Sequence, residues 1–144
     1  MELAWTKQMS VGNKILDSEH RNILDLVIQI ERAIRARDNE SLLLVFRQFK
    51  DVIRIHFRNE AVIANAINYY FEPHNLEHQY ILKEIRLIEQ ELMDTQGKLS
   101  ESAAEHYFQF LSKWATDHIN EDDMKMKAIL ETHPYDFKPT NLAD

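Results

Sequence analysis

At 144 residues the chain has the length of one domain with a substantial core, and its 44% hydrophobic content holds no unbroken apolar run near the roughly 18 residues that a membrane span needs. Seventeen basic against 24 acidic residues leave a formal charge of -7, which repels a polyphosphate backbone and argues against a nucleic-acid partner. With no cysteine there is no disulfide, thiolate metal site or cysteine nucleophile; the composition suits a reducing cytoplasm, and the first twelve residues lack the basic start and apolar stretch of a signal peptide.

Only two glycines and three prolines, set among long stretches of helical periodicity, predict an all-α chain with short connections. Residues 1–16 read as an N-terminal arm, about 17–130 as a helical bundle and 131–144 as a short tail, all in one domain. The first helix is expected to start at Asp17 as N-cap and run to about Arg37, with Ile23, Val27, Ile30 and Ile34 on one apolar stripe that also holds His20. A second, capped by Asn39, carries Phe49, Val52, Ile53, His56, Glu60 and Ile63 in its inward row. The third starts at Pro73 and continues His74, His78, Ile81, Ile85, Ile88 and Leu92. Ser100 caps a fourth, whose row reads Tyr107, Leu111, Trp114 and His118.

Short connections make consecutive helices antiparallel, an up-down-up-down four-helix bundle. His20 then lies near the start of its helix, His56 and Glu60 near an end, His74 and His78 near a start and His118 near an end. Start, end, start, end brings all of them to one level. A shift of ten residues would move a ligand by about 15 Å along the axis. A single histidine on an apolar stripe is usually a satisfied core side chain. Five imidazoles and a carboxylate buried at one height without partners would each cost a few kcal/mol, a cost that metal ions remove. His106 falls off the inward row and His133 precedes Pro134, so both are expected to face solvent.

Five imidazoles with two carboxylates exceed one tetrahedral zinc site and suit two six-coordinate first-row ions. The chain resembles the hemerythrins, in particular the single-domain bacterial ones. The resemblance rests on Trp5 with Val11 and Gly12, on Asp17-Ser18-Glu19-His20, on His56-Phe57-Arg58-Asn59-Glu60, on His74-Asn75-Leu76-Glu77-His78, and on Trp114 through His118-Ile119 to Asp123. It implies an oxo- or hydroxo-bridged di-iron centre, with His74, His78 and His118 on one iron, His20 and His56 on the other, and Glu60 and Asp123 bridging. The second iron is left one ligand short, and the vacancy would take dioxygen reversibly for carriage, storage or sensing. Phe57, Trp114, Ile119, Ile23 and Leu24 are expected to wall the oxygen site. The resemblance also admits a di-iron enzyme acting on peroxide, nitric oxide or ferrous iron.

On an undistorted helix Asp122, four residues after His118, lies closer to the histidine's face than Asp123 at five; the family's spacing selects Asp123 and requires a bend. Three positions depart from the family's usual residues: Ala61 in place of a second acid after the glutamate, Glu19 in place of Gln before the first histidine, and Met126 in place of a Tyr. The stretch from Ala61 to Glu72, read as joining helices two and three, is poor in turn residues and holds Tyr69-Tyr70-Phe71. The tail from His133 to Asp144 offers the obvious surface for a protein partner, whose identity the residues do not specify.

Overall fold

The computed structural model describes residues 3–143; Met1 and Glu2 of the arm and Asp144 of the tail lie outside the described residues. Four long helices form an up-down-up-down bundle: α1 (Lys14–Arg35), α2 (Asn39–Ala66), α3 (Glu72–Asp94) and α4 (Glu101–Asp117). α1 packs on α2 and α4, and α2 on α3. Beyond α4 the chain takes a π-helical turn at His118–Asp122, a 3-10 turn at Asp123–Met126 and the short α5 (Lys127–Leu130). Among the described residues no helix is long and apolar enough to cross a membrane.

The starts of α1 and α2 and the end of α2 differ from the sequence expectation, each for a local reason. α1 starts at Lys14 because Asn13 is its cap, with Oδ1 accepting from the N–H groups of Ile15 and Leu16 at 3.1 Å each. Asp17 is not a cap but a fully buried carboxylate, which accepts from the Val11 N–H at 2.9 Å, the Ser10 hydroxyl at 2.5 Å and the Tyr135 hydroxyl at 2.8 Å. It thereby ties the arm and the tail to α1. α2 is capped by Asp38, one residue before Asn39, through the Ser41 N–H. The same helix runs on to Ala66, because Ile63, Ala64 and the following Ile67 are buried in a cluster with Leu16, Met126 and Leu130. The connection to α3 is therefore only residues 67–71.

The three inter-helix connections use one device. Arg37, Asn68 and Gln96 adopt positive φ (54°, 59° and 56°) just past the ends of α1, α2 and α3. The next N–H then reaches back to a carbonyl five residues earlier, Asp38 to Ala33, Tyr69 to Ala64 and Gly97 to Leu92, at 2.8 to 3.0 Å. None of the three left-handed positions is a glycine, which reconciles two glycines in the chain with tight turns throughout.

Apolar burial falls into two clusters. The larger fills the bundle from Ala33, Leu42 and Leu92 to Ile23, Leu24, Phe57 and Ile119; the smaller, with Val11, Leu16, Ile63, Ile67, Met126 and Leu130, plugs one end. Along every helix that contributes to both, a polar side chain lies between them: His20 between Leu16 and Ile23, His56 and Glu60 between Ile53 and Ile63, Asp123 between Ile119 and Met126.

Candidate metal centre

That interlayer is the chemical focus of the molecule. His20, His56, Glu60, His118 and Asp123 are all at most 2% exposed, and one nitrogen or oxygen from each lies within 4.8 Å of the others. His74 and His78 reach the same layer from α3, at 4% and 5% exposure. The two carboxylates sit in the middle and divide their oxygens between the imidazoles. Glu60 Oε1 faces the Nε2 atoms of His74 at 3.9 Å and His78 at 3.5 Å, while Oε2 faces those of His56 at 3.0 Å and His118 at 3.6 Å. Asp123 Oδ1 faces His74 at 3.8 Å, and Oδ2 faces His20 at 2.6 Å, His118 at 2.8 Å and His56 at 3.5 Å.

The π turn decides between the two aspartates. A residue five after His118 would point about 140° away on a regular α-helix. Widening the backbone to a five-residue turn, closed by the Asp123 N–H to the His118 carbonyl, brings Asp123 back under the histidine. Asp122 instead is half-buried on the outside, where burial and the neighbouring Glu77 raise its carboxyl to about 6. His118, grouped with His74 and His78 by family resemblance, has its Nε2 3.1 Å from that of His56. His74 donates its Nε2–H to the Asp122 carbonyl at 2.8 Å.

A second set of contacts lies behind the imidazoles and has no sequence signature. His56 Nδ1–H donates to Glu19 Oε1 at 2.9 Å, and Asn59 Nδ2 donates to Glu19 Oε2 at 2.6 Å. The Asn59 amide is in turn bonded to the backbone of Ala143 through both its carbonyl and its amino group. Aromatic rings flank the other histidines: Phe57 stacks on His78 at 3.7 Å, Trp114 on His118 at 5.0 Å and Phe71 on His74 at 5.4 Å.

Burial pushes each of these groups toward its neutral form. It prevails at His20 and His78, whose imidazoles are held below their ordinary value. At His118, burial is outweighed by the Asp123 carboxylate, which raises the ring to about 9; His56 is raised well above its usual range against the same burial by Asp123, Glu19 and Glu60. The imidazoles act reciprocally on the acids. Against burial, Glu60 is held at about 2 by His118, His56 and His78, and Asp123 well below the carboxylate range, chiefly by His118. Two buried negative charges thus demand positive charge from this layer, and none of their ion pairs among the described residues involves a lysine or arginine.

The residues fit a metal centre by a direct criterion. Both oxygens of Glu60, Oδ1 of Asp123, Nε2 of His78 and Nδ1 of His20 are buried without any hydrogen-bond partner. Each such atom costs about 1–3 kcal/mol when left so, and four of the five are oxygens or an Nε2 turned into the polar layer. Imidazole nitrogens and carboxylate oxygens are the donors that first-row divalent ions take.

Of the five apolar residues expected around a small ligand, Phe57, Ile119, Ile23 and Leu24 are buried in the large cluster and Trp114 packs against it half-buried. Tyr107 and Trp114 sit at the edge of α4's inward face, whose buried row is Ala104, Phe108, Leu111 and Ala115. His106 is exposed, as expected; His133 is half-buried against Phe137 because the tail folds back on the bundle. A cleft of about 710 Å³ at the opposite end, between Arg35, Leu42, Gly97 and Glu105, holds the ion pairs Arg35–Glu105 and Arg37–Glu101.

Comparison with known proteins gives a consistent picture. A sequence model of the hemerythrin HHE cation binding domain matches residues 11–130. The chain is 22% identical over 122 residues to a bacteriohemerythrin of Pseudomonas aeruginosa, covering 84% of this chain and 76% of the relative. To a bacteriohemerythrin of Stenotrophomonas maltophilia it is 24% identical over 136 residues, with 94% and 86% covered. A hemerythrin-like protein of Naegleria gruberi is 24% identical over 127 residues, with 88% and 92% covered. The crystal structure of a hemerythrin mutant superposes with a TM-score of 0.79 at 18% identity, over 91% of this chain and 99% of that one.

Proposed function

The chain belongs to the hemerythrin family, and from that premise we propose that it binds dioxygen reversibly at a non-haem di-iron centre, for carriage, storage or sensing. The observation that carries this reading is the buried polar layer, in which the two carboxylates each turn one oxygen toward His74 and the other toward His56 and His118, with no lysine or arginine among the described residues paired to them. His74, His78 and His118 would hold one ion and His20 and His56 the other, with Glu60 and Asp123 shared. Ferrous ions so held would supply reversible one-electron chemistry, one electron from each, for the binding of dioxygen.

The protein's own part is to hold the donors and keep water out. Five neutral imidazoles against two carboxylates leave the pair of ions short of neutrality, which disfavours the higher oxidation states that oxygen-activating, carboxylate-rich sites reach. The large apolar cluster closes one side of the layer with Phe57, Ile119, Ile23 and Leu24, and the end plug closes the other. These walls would keep water and protons from the ligand site. A chain free of cysteine suits a reducing compartment, and we place its action in the cytoplasm.

Anaerobic reconstitution with ferrous iron followed by aeration tests the reading. The expected result is about two irons per chain and a visible absorption band that appears in air and disappears under vacuum. Less than one iron per chain would defeat it. Continuous oxygen, peroxide or nitric oxide consumption with an electron donor would favour an enzyme instead, because a carrier takes up its ligand only in proportion to the protein present.

A further inference from the structure

We propose that residues 134–143 form a strap that positions His56, acting through the Ala143 peptide and the side chain of Asn59. The inference rests on the reading above only in taking His56 as an iron ligand. The Asn59 amide is 2% exposed and fully used: Nδ2 donates to Glu19 Oε2 at 2.6 Å and to the Ala143 carbonyl at 3.0 Å, and Oδ1 accepts from the Ala143 N–H at 2.6 Å. An asparagine side chain can flip, exchanging its donor and acceptor ends. Flipped, Asn59 would put its carbonyl oxygen against the Glu19 carboxylate, two acceptors facing each other. The Ala143 N–H, by requiring an acceptor on the other side, fixes the orientation in which the amide donates to Glu19.

Glu19 then has one oxygen held and presents the other to His56. A carboxylate can only accept, so His56 Nδ1 carries a proton toward Glu19, and Nε2 is the nitrogen turned toward Glu60 and Asp123, where it would meet an ion. The strap itself is anchored. The Lys14 N–H donates to the Tyr135 carbonyl at 2.9 Å, the Tyr135 hydroxyl to Asp17 at 2.8 Å and the Asn13 amide to the Phe137 carbonyl at 3.1 Å, while Phe137 and Leu142 pack on the end plug. The arrangement depends on a carboxylate at Glu19. A neutral amide there would place its own amino group toward the Asn59 amino group whenever its oxygen faced His56, so carboxylate, fixed amide and strap form one matched set.

The test reads the His56 ring directly, in full-length, 15N-labelled, metal-free protein, by the exchange rate of its Nδ1–H with water. Ala143→Pro removes the strap's N–H and should speed that exchange about tenfold, while lowering the unfolding temperature by only a few degrees. Asn59→Leu should speed it further. Glu19→Gln combined with Ala143→Pro should do less than the product of the two single effects, because both sever one chain of contacts. In the iron-loaded protein, transfer of iron to a chelator should be faster in Ala143→Pro by about tenfold. Exchange at His56 equal to that of the unaltered chain in Ala143→Pro would overturn the proposal, whether or not Asn59→Leu folds. A chain that binds no iron yet shows the expected exchange would remove the di-iron reading and leave the strap in place.

Discussion

Asp123 donates its backbone N–H to the carbonyl of His118, and its carboxylate returns to within 2.8 Å of the His118 ring. Both contacts come from one π-helical turn, without which the five-residue step would carry the acid to the far side of the helix.

The two neighbouring acids therefore separate cleanly. Asp123→Asn keeps the volume and removes the charge from the polar layer, and iron after anaerobic loading is expected to fall below one atom per chain. Asp122→Asn, at the half-buried position beside Glu77, should keep about two. Elemental analysis of the two variants decides, and the reverse pattern would reassign the shared acid to Asp122.

Removing metal should cost stability. Ions held at a thousandfold excess over their dissociation constant stabilise the folded chain by about 4 kcal/mol. For a domain of this size that is a fall of about 10 °C in melting temperature when a chelator strips them. Scanning calorimetry with and without iron gives the comparison; coincident transitions would mean that the layer's unpartnered atoms do not meet an ion.

Phe57 links packing to chemistry, because its ring lies parallel to that of His78, with planes 2° apart, and meets Trp114 edge-on. Phe57→Ala should cost about 3–5 kcal/mol in denaturant unfolding and Phe57→Leu about 1.5 kcal/mol or less. Both should hasten irreversible oxidation of the reduced, iron-loaded protein in air, the alanine more. Oxidation at an unchanged rate in Phe57→Ala would show that this ring does not shield the centre.

The far end offers two opposite tests of the turns. A Cβ on Gly97, where φ is 81°, would lie 2.3 Å from the Asn39 carbonyl oxygen, so Gly97→Ala should destabilise by about 2 kcal/mol or more. Arg37 holds a left-handed conformation at φ 54° for no packing gain, and its ion pair with Glu101 is exposed. Arg37→Gly should therefore stabilise by about 0.5–1 kcal/mol. Chemical denaturation measures both. Because neither residue approaches the polar layer, iron content at low temperature should not change; a loss of iron in Gly97→Ala would show that the two ends are coupled.

What could be read in the residues follows from which interactions leave a pattern. Helical periodicity placed His20, His56, Glu60, His74, His78 and His118 on inward stripes, and antiparallel order placed them at one height, because side-chain identity and spacing carry both facts. The π turn was not legible from helix geometry alone: Asn120-Glu121 is a weak helical stretch that permits a bend without specifying a widened turn, and a regular helix favours Asp122. Asp17 had the residue type of a cap but serves as a buried acceptor, and only the arm and tail folding over it reveal why. α2 overran its expected end because Ile63 and Ile67 belong to a second core that the stripe of the main bundle does not describe. The hold of Ala143 on Asn59 uses peptide groups, which every residue has, so no side chain marks it.

His20 and Asp123 touch across 103 positions of sequence, and the remaining donors are scattered between them on separate helices. A partly assembled chain lacking the last of them offers only fragments of the set, too few to compete for an ion. Metal loading is consequently expected to be a late step, contingent on every helix having docked, and the metal content of a sample would double as a certificate of completed folding.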